Sequence, residues 1–244
     1  MISTYVFPNV SDIRQRGGLS ERWELAERFD CAYIEVPADF IKNKTEVDKT
    51  DLVLCDFLTE KSIPLLYERG ESVPAEAKYI IHTEPSLLRD DGYGLRRQAA
   101  LRWNEMRWVE AFVRMILSIS RYFEKAASVI EIHPGDRRNS FNDIGSSIEF
   151  LLDSYKKSFD FEPLILLENR TDQFISNGAK IREYWAFLIE KFPHLEAKTA
   201  IVLDIQQLYT ATKESFLDEY YKIPTGAING LHIHHLHRAP SLSD

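Results

Sequence analysis

The chain has 244 residues, a formal net charge of −8, 44% hydrophobic and 28% charged residues, a balance ordinary for a soluble globular protein with a sizeable core. No apolar run approaches the roughly 20 residues of a membrane span. The opening "MISTYVFPNVSD" lacks the basic region and cleavage site of a secretory signal, so the expected location is cytoplasmic, with no membrane partner. The acidic balance argues against unspecific binding to nucleic acid or an anionic surface, although a net charge does not report a local basic groove. Cys31 and Cys55 lie in apolar surroundings without C-x-x-C spacing, which reads as two buried reduced thiols.

Along the chain, short β-rich runs ending in polar residues alternate with helical spacing. The first run is "STYVFPN" (3–9), followed by a helix over "LSERWELAERF" (19–29) and a strand in "CAYIEVP" (31–37). "DLVLCDF" (51–57) is either a short strand or a helix start, and "KYIIHTE" (78–84) is the next clear strand. The spacing then predicts the longest helix over 95–126, with Trp103, Arg107 and Trp108 on a packing helix rather than a nucleobase-stacking platform. Strands in "SVIEIHPG" (128–135), "PLILLENR" (163–170), "TAIVLDIQQ" (199–207) and "INGLHIHH" (228–235) alternate with helices over 146–159 and 178–192.

Regular alternation of this kind predicts an α/β fold with parallel βαβ units. Seven clear strands and an uncertain eighth suggest one (β/α) TIM-type barrel domain over residues 1–244, shortened or irregular at its C-terminal end. No G-x-G-x-x-G follows the first strand, which removes the usual sign of dinucleotide binding. The edges of such a barrel need covering. The 51–57 region, a terminal segment, or a second subunit in a homo-oligomer is expected to cover them.

Position carries the functional reading. His82, His133, Glu168, Asp204 and His232 fall at the carboxyl ends of successive predicted strands, the face on which barrels build their sites. Imidazoles and carboxylates converging there suit a borderline divalent ion such as zinc or manganese. Four of the seven histidines crowd the stretch "NGLHIHHLHRAP" (229–240). In an extended strand His232 and His234 share one face, which makes them the inward pair. His235 and His237 face the other way, toward solvent or an interface. Arg137 and Arg138, just after His133, can grip a phosphate or carboxylate, or pair with Asp136 and Asp143 in their own loop. Asn169 and Arg170 follow Glu168 directly and suit substrate hydroxyls or the metal's surroundings. Gln207 can hydrogen-bond a substrate but cannot act as a base.

The motifs "EIHPG", "LLENRTDQFISNG", "IVLDIQQLY" and "INGLHIHH" occur in this order. Together, over roughly residues 78–235, they resemble strand motifs of the xylose isomerase-like TIM-barrel superfamily. That group includes sugar isomerases and epimerases and the endonuclease IV-type apurinic endonucleases. "HPG" and the "EN…Q…G" run look most like the endonuclease IV branch. In the single-metal isomerase branch the resemblance implies ligands at Glu168, Asp204 and His232. It leaves no counterpart for that branch's last glutamate. In the trinuclear zinc branch it implies His82, His133, Glu168, Asp204 and His232, with Gln207 where that branch has a histidine and further ligands not recognisable. A single-metal site is the better fit, with Glu168 alone available as a base.

Three functions follow from this. The first is a divalent-metal-dependent isomerase or epimerase acting on a small sugar or polyhydroxylated substrate, with Glu168 as catalytic base. The second is a metal-dependent phosphodiesterase resembling the apurinic endonucleases, with nucleic acid as partner. The third is a non-catalytic relative with a partial metal or ligand site.

Overall fold

A computed structural model of the chain describes residues 18–38, 63, 67, 73, 77–83, 86–87, 97–98 and 101–232. In chain order the principal elements are α1 (Gly18–Arg28), β1 (Tyr33–Pro37), β2 (Lys78–His82), β3 (Ser86–Leu87), β4 (Arg97–Gln98) and α2 (Met106–Tyr122). After them come β5 (Val129–Ile132), α3 (Phe141–Phe159), β6 (Leu164–Glu168), α4 (Gly178–Lys191), β7 (Thr199–Asp204), α5 (Ile205–Thr212), α6 (Phe216–Tyr220) and β8 (Ile228–His232). The expected strands at 3–9 and 51–57, the thiol of Cys55, and the 51–57 and terminal segments expected to cover the barrel edges lie outside the described residues. Cys31 is a buried free thiol, as its apolar neighbours predict.

Six strands pair in parallel in the order β1-β2-β5-β6-β7-β8, and β3 and β4 form a separate antiparallel pair. Each parallel strand therefore lies beside the next parallel strand in the chain, and helices fill the described connections from β2 onward, the arrangement of successive β/α units. The sheet is strongly curled. His82 on β2 and His232 on β8 stand four strands apart, about 19 Å in a flat sheet at about 4.8 Å per strand. Their ring centroids are 5.7 Å apart. The sheet is thus a half-barrel, and these rings meet across its concave face.

Strand alternation sorts the residues between the two faces. Ile34, Val36, Tyr79, Ile81, Ile130, Ile132, Ile165, Leu167, Ile201 and Leu203 join the main core, which lies between the sheet and its helices. The opposite parity, Ile80, Val129, Leu166, Ala200 and Val202 with the partly buried Tyr33 and Leu164, forms a second, smaller apolar cluster on the concave side. Both faces of the sheet are thereby covered, which is why these strands read as near-continuous apolar runs.

Local chemistry moves several element boundaries away from the periodicity. The helix expected over 95–126 begins only at Met106, with Arg97–Gln98 in β4. Trp103 is drawn out of the helical path: its indole donates to the His133 carbonyl (2.9 Å). Its ring meets those of Trp108 and Phe112 edge-on at 5.0 and 5.1 Å. Those aromatic contacts are core packing, as expected. α3 starts at Phe141, five residues before the apolar spacing indicates, because Ser140 and Asp143 form a reciprocal capping box. The run expected as strand over 199–207 stops at Asp204, whose side chain caps α5. Among the described residues no helix is long and apolar enough to cross a membrane.

Gly178 opens α4 where α6 crosses it. A Cβ at this position would lie 1.7 Å from the Glu219 carbonyl oxygen. Gly178→Ala is therefore expected to force α6 outward and to lower the unfolding free energy by about 1–3 kcal/mol. Chemical denaturation measures this, and a change within about 0.5 kcal/mol, the range of a neutral surface substitution, would show that α6 is not held against α4.

Candidate metal centre

Above the apolar floor of the concave face lies a polar layer. The parity that turns Tyr33, Ile80, Val129 and Leu166 inward also turns in Glu35, His82, Glu131 and Glu168. His82 is the register partner of Glu131 on the adjacent strand. At the other side of the half-barrel, His232 ends β8 opposite Asp204. Gly230 gives this wall room, since a Cβ there would press on Val202 at 3.1 Å. His133 follows β5 directly. Its loop turns back at Gly135, where φ is +72° and a Cβ would meet the Leu101 carbonyl at 2.7 Å, so only glycine fits.

Glu168 is the centre of the layer. Its Oε2 lies 2.9 Å from His133 Nε2, 3.6 Å from His82 Nε2 and 3.6 Å from His232 Nδ1. Glu131 spans the same two outer rings, with Oε1 3.4 Å from His82 Nε2 and Oε2 3.4 Å from His232 Nε2. On its far side His82 Nδ1 is 2.8 Å from Glu35 Oε1. The His82 and His133 rings stack with centroids 5.7 Å apart. Glu35, His82, Glu131, His133 and Glu168 are all buried.

Burial alone would raise the Glu168 carboxyl, but the facing imidazoles of His133, His82 and His232 outweigh it and hold the group well below the usual carboxylate range. The same opposition acts on the rings. Burial would lower His82, yet Glu131, Glu168 and Glu35 carry it well above its ordinary value. His232, likewise penalised by burial, is pushed up to about 9 by Glu131 and Glu168.

This donor set fits a divalent cation. Two groups, His82–His133–Glu168 and Glu131–Glu168–His232, each bring three ligand atoms within 4.8 Å of one another, and Glu168 belongs to both. Tetrahedral zinc with bonds of about 2.0–2.1 Å sets its ligand atoms about 3.4 Å apart, and the His82–Glu168 and His232–Glu168 separations, one in each group, are both 3.6 Å. His82 Nε2 and Glu131 Oε1 are buried and make no hydrogen bond among the described residues. Buried polar atoms are normally satisfied, so this pair is available to a cation. Mixed imidazole and carboxylate donors suit zinc or manganese.

Of the residues expected from the sequence, His82, His133, Glu168 and His232 come together. Asp204 ends the neighbouring strand, but its carboxylate accepts from the Gln207 backbone N–H (2.8 Å) and belongs to neither donor group. Asn169 joins β6 to β7, donating to the Asp204 carbonyl (3.1 Å) and accepting from its N–H (2.8 Å). Gln207 accepts from the Thr171 N–H (3.1 Å). Arg170 reaches the cluster itself, with Nη1 3.2 Å from His133 Nε2 and 4.0 Å from Glu168 Oε1. Arg138 pairs with Asp136 at 2.6 Å on the exposed loop, Asp143 is taken by the α3 cap, and Arg137 is exposed. His234, His235 and His237 lie outside the described residues.

The structure corrects one expectation. Glu168 is not the only carboxylate available, because Glu131 and Glu35 stand in the same layer. The signal was in the sequence: "YIEVP" and "VIEI" each place a glutamate inside a strand that is apolar on both sides of it. A charge in such a run has to find a buried partner.

No family model and no curated protein matches the chain. Among solved structures, the crystal structure of AsfvAP:AG aligns with 94% of this chain and 70% of its own at 11% identity and a TM-score of 0.42. The structure of GH113 beta-1,4-mannanase aligns with 86% of this chain and 79% of its own at 8% identity and a TM-score of 0.35. At these values neither adds to the architecture read from the sheet itself.

The electrostatics set a pH signature for the metal-free chain. A raised His232 contributes stability that is complete below its ordinary value of 6.5 and is lost as pH climbs through about 9. The depressed Glu168 contributes stability present above 4.5 and lost as pH falls through its lowered value. Chelator-treated protein is thus expected to melt highest between about pH 4.5 and 6.5. His232→Gln should flatten the alkaline side of the profile. Thermal melts from acid to alkaline pH check this, and an equal alkaline decline in wild type and variant would remove His232 from the account.

Proposed function

We propose that this chain is a divalent-metal-dependent enzyme of the xylose isomerase-like TIM-barrel type, acting as an isomerase or epimerase on a small sugar or other polyhydroxylated substrate. The observation that carries the reading is the convergence of His82, His133, Glu131, Glu168 and His232 at the carboxyl-end side of six parallel strands. Zinc or manganese is the proposed cofactor. Bound there, the ion supplies Lewis acidity to a carbonyl or hydroxyl oxygen. Isomerases and epimerases must also remove and return a proton next to that oxygen. Glu168 is the proposed base, with Glu131, the first residue of the "EIHPG" motif, as the second carboxylate. Arg170, beside both His133 and Glu168, is the best-placed cation for a substrate oxygen.

A second reading is favoured by one feature, the sharing of Glu168 between two donor groups. A carboxylate bridging two ions is what a phosphodiesterase needs to stabilise the attacking and leaving oxygens. That reading makes the chain endonuclease IV-like, with abasic nucleic acid as substrate.

Metal counting and turnover separate the two. One zinc or manganese ion per chain with aldose–ketose interconversion or epimerisation supports the first reading. Two ions with cleavage of abasic DNA support the second, and stable metal binding without either activity points to a non-catalytic relative. Metal at about one hundred times its dissociation constant should raise the melting temperature by roughly 5–10 °C. No bound metal and no shift would sink both enzyme readings. Glu168→Gln is expected to abolish turnover, and unchanged activity would remove Glu168 as the base.

A further inference from the structure

Glu35 is buried beside the cluster without belonging to either donor group. Its Oε1 lies 2.8 Å from His82 Nδ1, the ring nitrogen turned away from Glu131 and Glu168. A carboxylate can only accept, so Nδ1 carries the hydrogen of this bond. Metal binding requires the neutral ring, whose one N–H then stays on Nδ1, so that Nε2 offers its lone pair to the cluster. Glu35 is in turn held from α1. The side chain of Arg22, 1% exposed, donates from Nη1 to the Glu35 carbonyl (2.7 Å) and lies 3.8 Å from Glu35 Oε2.

The other two rings are held differently. His133 Nδ1 is buried and makes no hydrogen bond among the described residues. His232 presents both ring nitrogens to the cluster carboxylates. His82 is the ring whose outward nitrogen is anchored to a fixed carboxylate, the arrangement by which a histidine ligand is oriented and made more basic.

We infer that Glu35, braced by Arg22, is a positioning residue that sets the tautomer and angle of His82 and so the metal affinity of the Glu168 cluster. This rests on the metal-centre reading above. It extends the functional unit to β1 and α1, where none of the motif resemblance lies.

The test is zinc titration of the chelator-treated full-length chain by calorimetry, beside circular dichroism of each variant. Glu35→Met, which removes the acceptor at similar size, is expected to weaken zinc binding about 10- to 100-fold with the number of ions unchanged. Glu35→Gln keeps an acceptor oxygen and is expected to lose less. Folded variants that bind zinc with wild-type affinity overturn the inference and leave the metal reading intact. No zinc uptake by wild type overturns the metal reading and the inference with it. Should Glu35→Met fail to fold, nitrogen NMR of the wild type decides. The zinc-loaded chain is expected to show His82 protonated at Nδ1 and ligating through Nε2, and ligation through Nδ1 overturns the inference.

Discussion

Moving a carboxylate from water into a protein interior costs several kcal/mol even after the surroundings relax. Glu35, Glu131 and Glu168 are nonetheless buried on one concave face, and the rest of the structure is arranged around what makes that tolerable. Three imidazoles interleave with the three carboxylates, so that each carboxylate has at least one ring within 3.4 Å. Protons and divalent cations compete for the same ring nitrogens. The cluster can therefore be neutralised by protonated rings or by metal, and metal binding there releases protons.

The sheet has to curl for these groups to meet. A flat parallel sheet would keep His82 and His232 far apart, and Glu131 could then face only one of them. Small residues on the concave wall, Ala200 on β7 and Gly230 on β8, let the far strands close over Leu166 and Val202. The loops above the cluster are tied to one another rather than left loose. Gln173 accepts from the Gly135 N–H, Asn169 holds both backbone polar groups of Asp204, and Thr171 bonds twice to Gln207. Asn169 and Gln207, expected from the sequence as substrate contacts, are thus hydrogen-bonded within the loops above the cluster. These ties hold the strand ends at fixed separations, as a metal site would require.

A third layer of support lies behind the cluster. α1 delivers Arg22 to β1, and β1 delivers Glu35 to His82. The buried polar network therefore reaches from the first described helix to the last described strand. The hydrophobic core between sheet and helices contributes rigidity to it, since residues of alternating parity on each strand serve the core and the site at once.

Much of this was legible in the residues. Strand–helix alternation and β-branched runs marked β1, β2 and β5 to β8, because burial on both faces demands continuous apolar sequence. His82, His133, Glu168 and His232 were visible as donors at strand ends, because a period of two carries the last strand residue to a definite face. Boundaries governed by a single hydrogen bond were not visible: the run over 199–207 reads as strand until the Asp204 carboxylate is seen capping α5, and Trp103 reads as helical until its indole finds the His133 carbonyl. Glu35 and Glu131 stood in plain view inside apolar strands, but parity does not say whether such a residue meets solvent, a cation or a ring. Only the curl of the sheet decided that, by bringing strands distant in sequence within side-chain reach. Periodicity is a local property of the chain and determines which residues share a face. Proximity across a half-barrel depends on the summed twist of six strands and the volumes packed between them, which no single stretch contains.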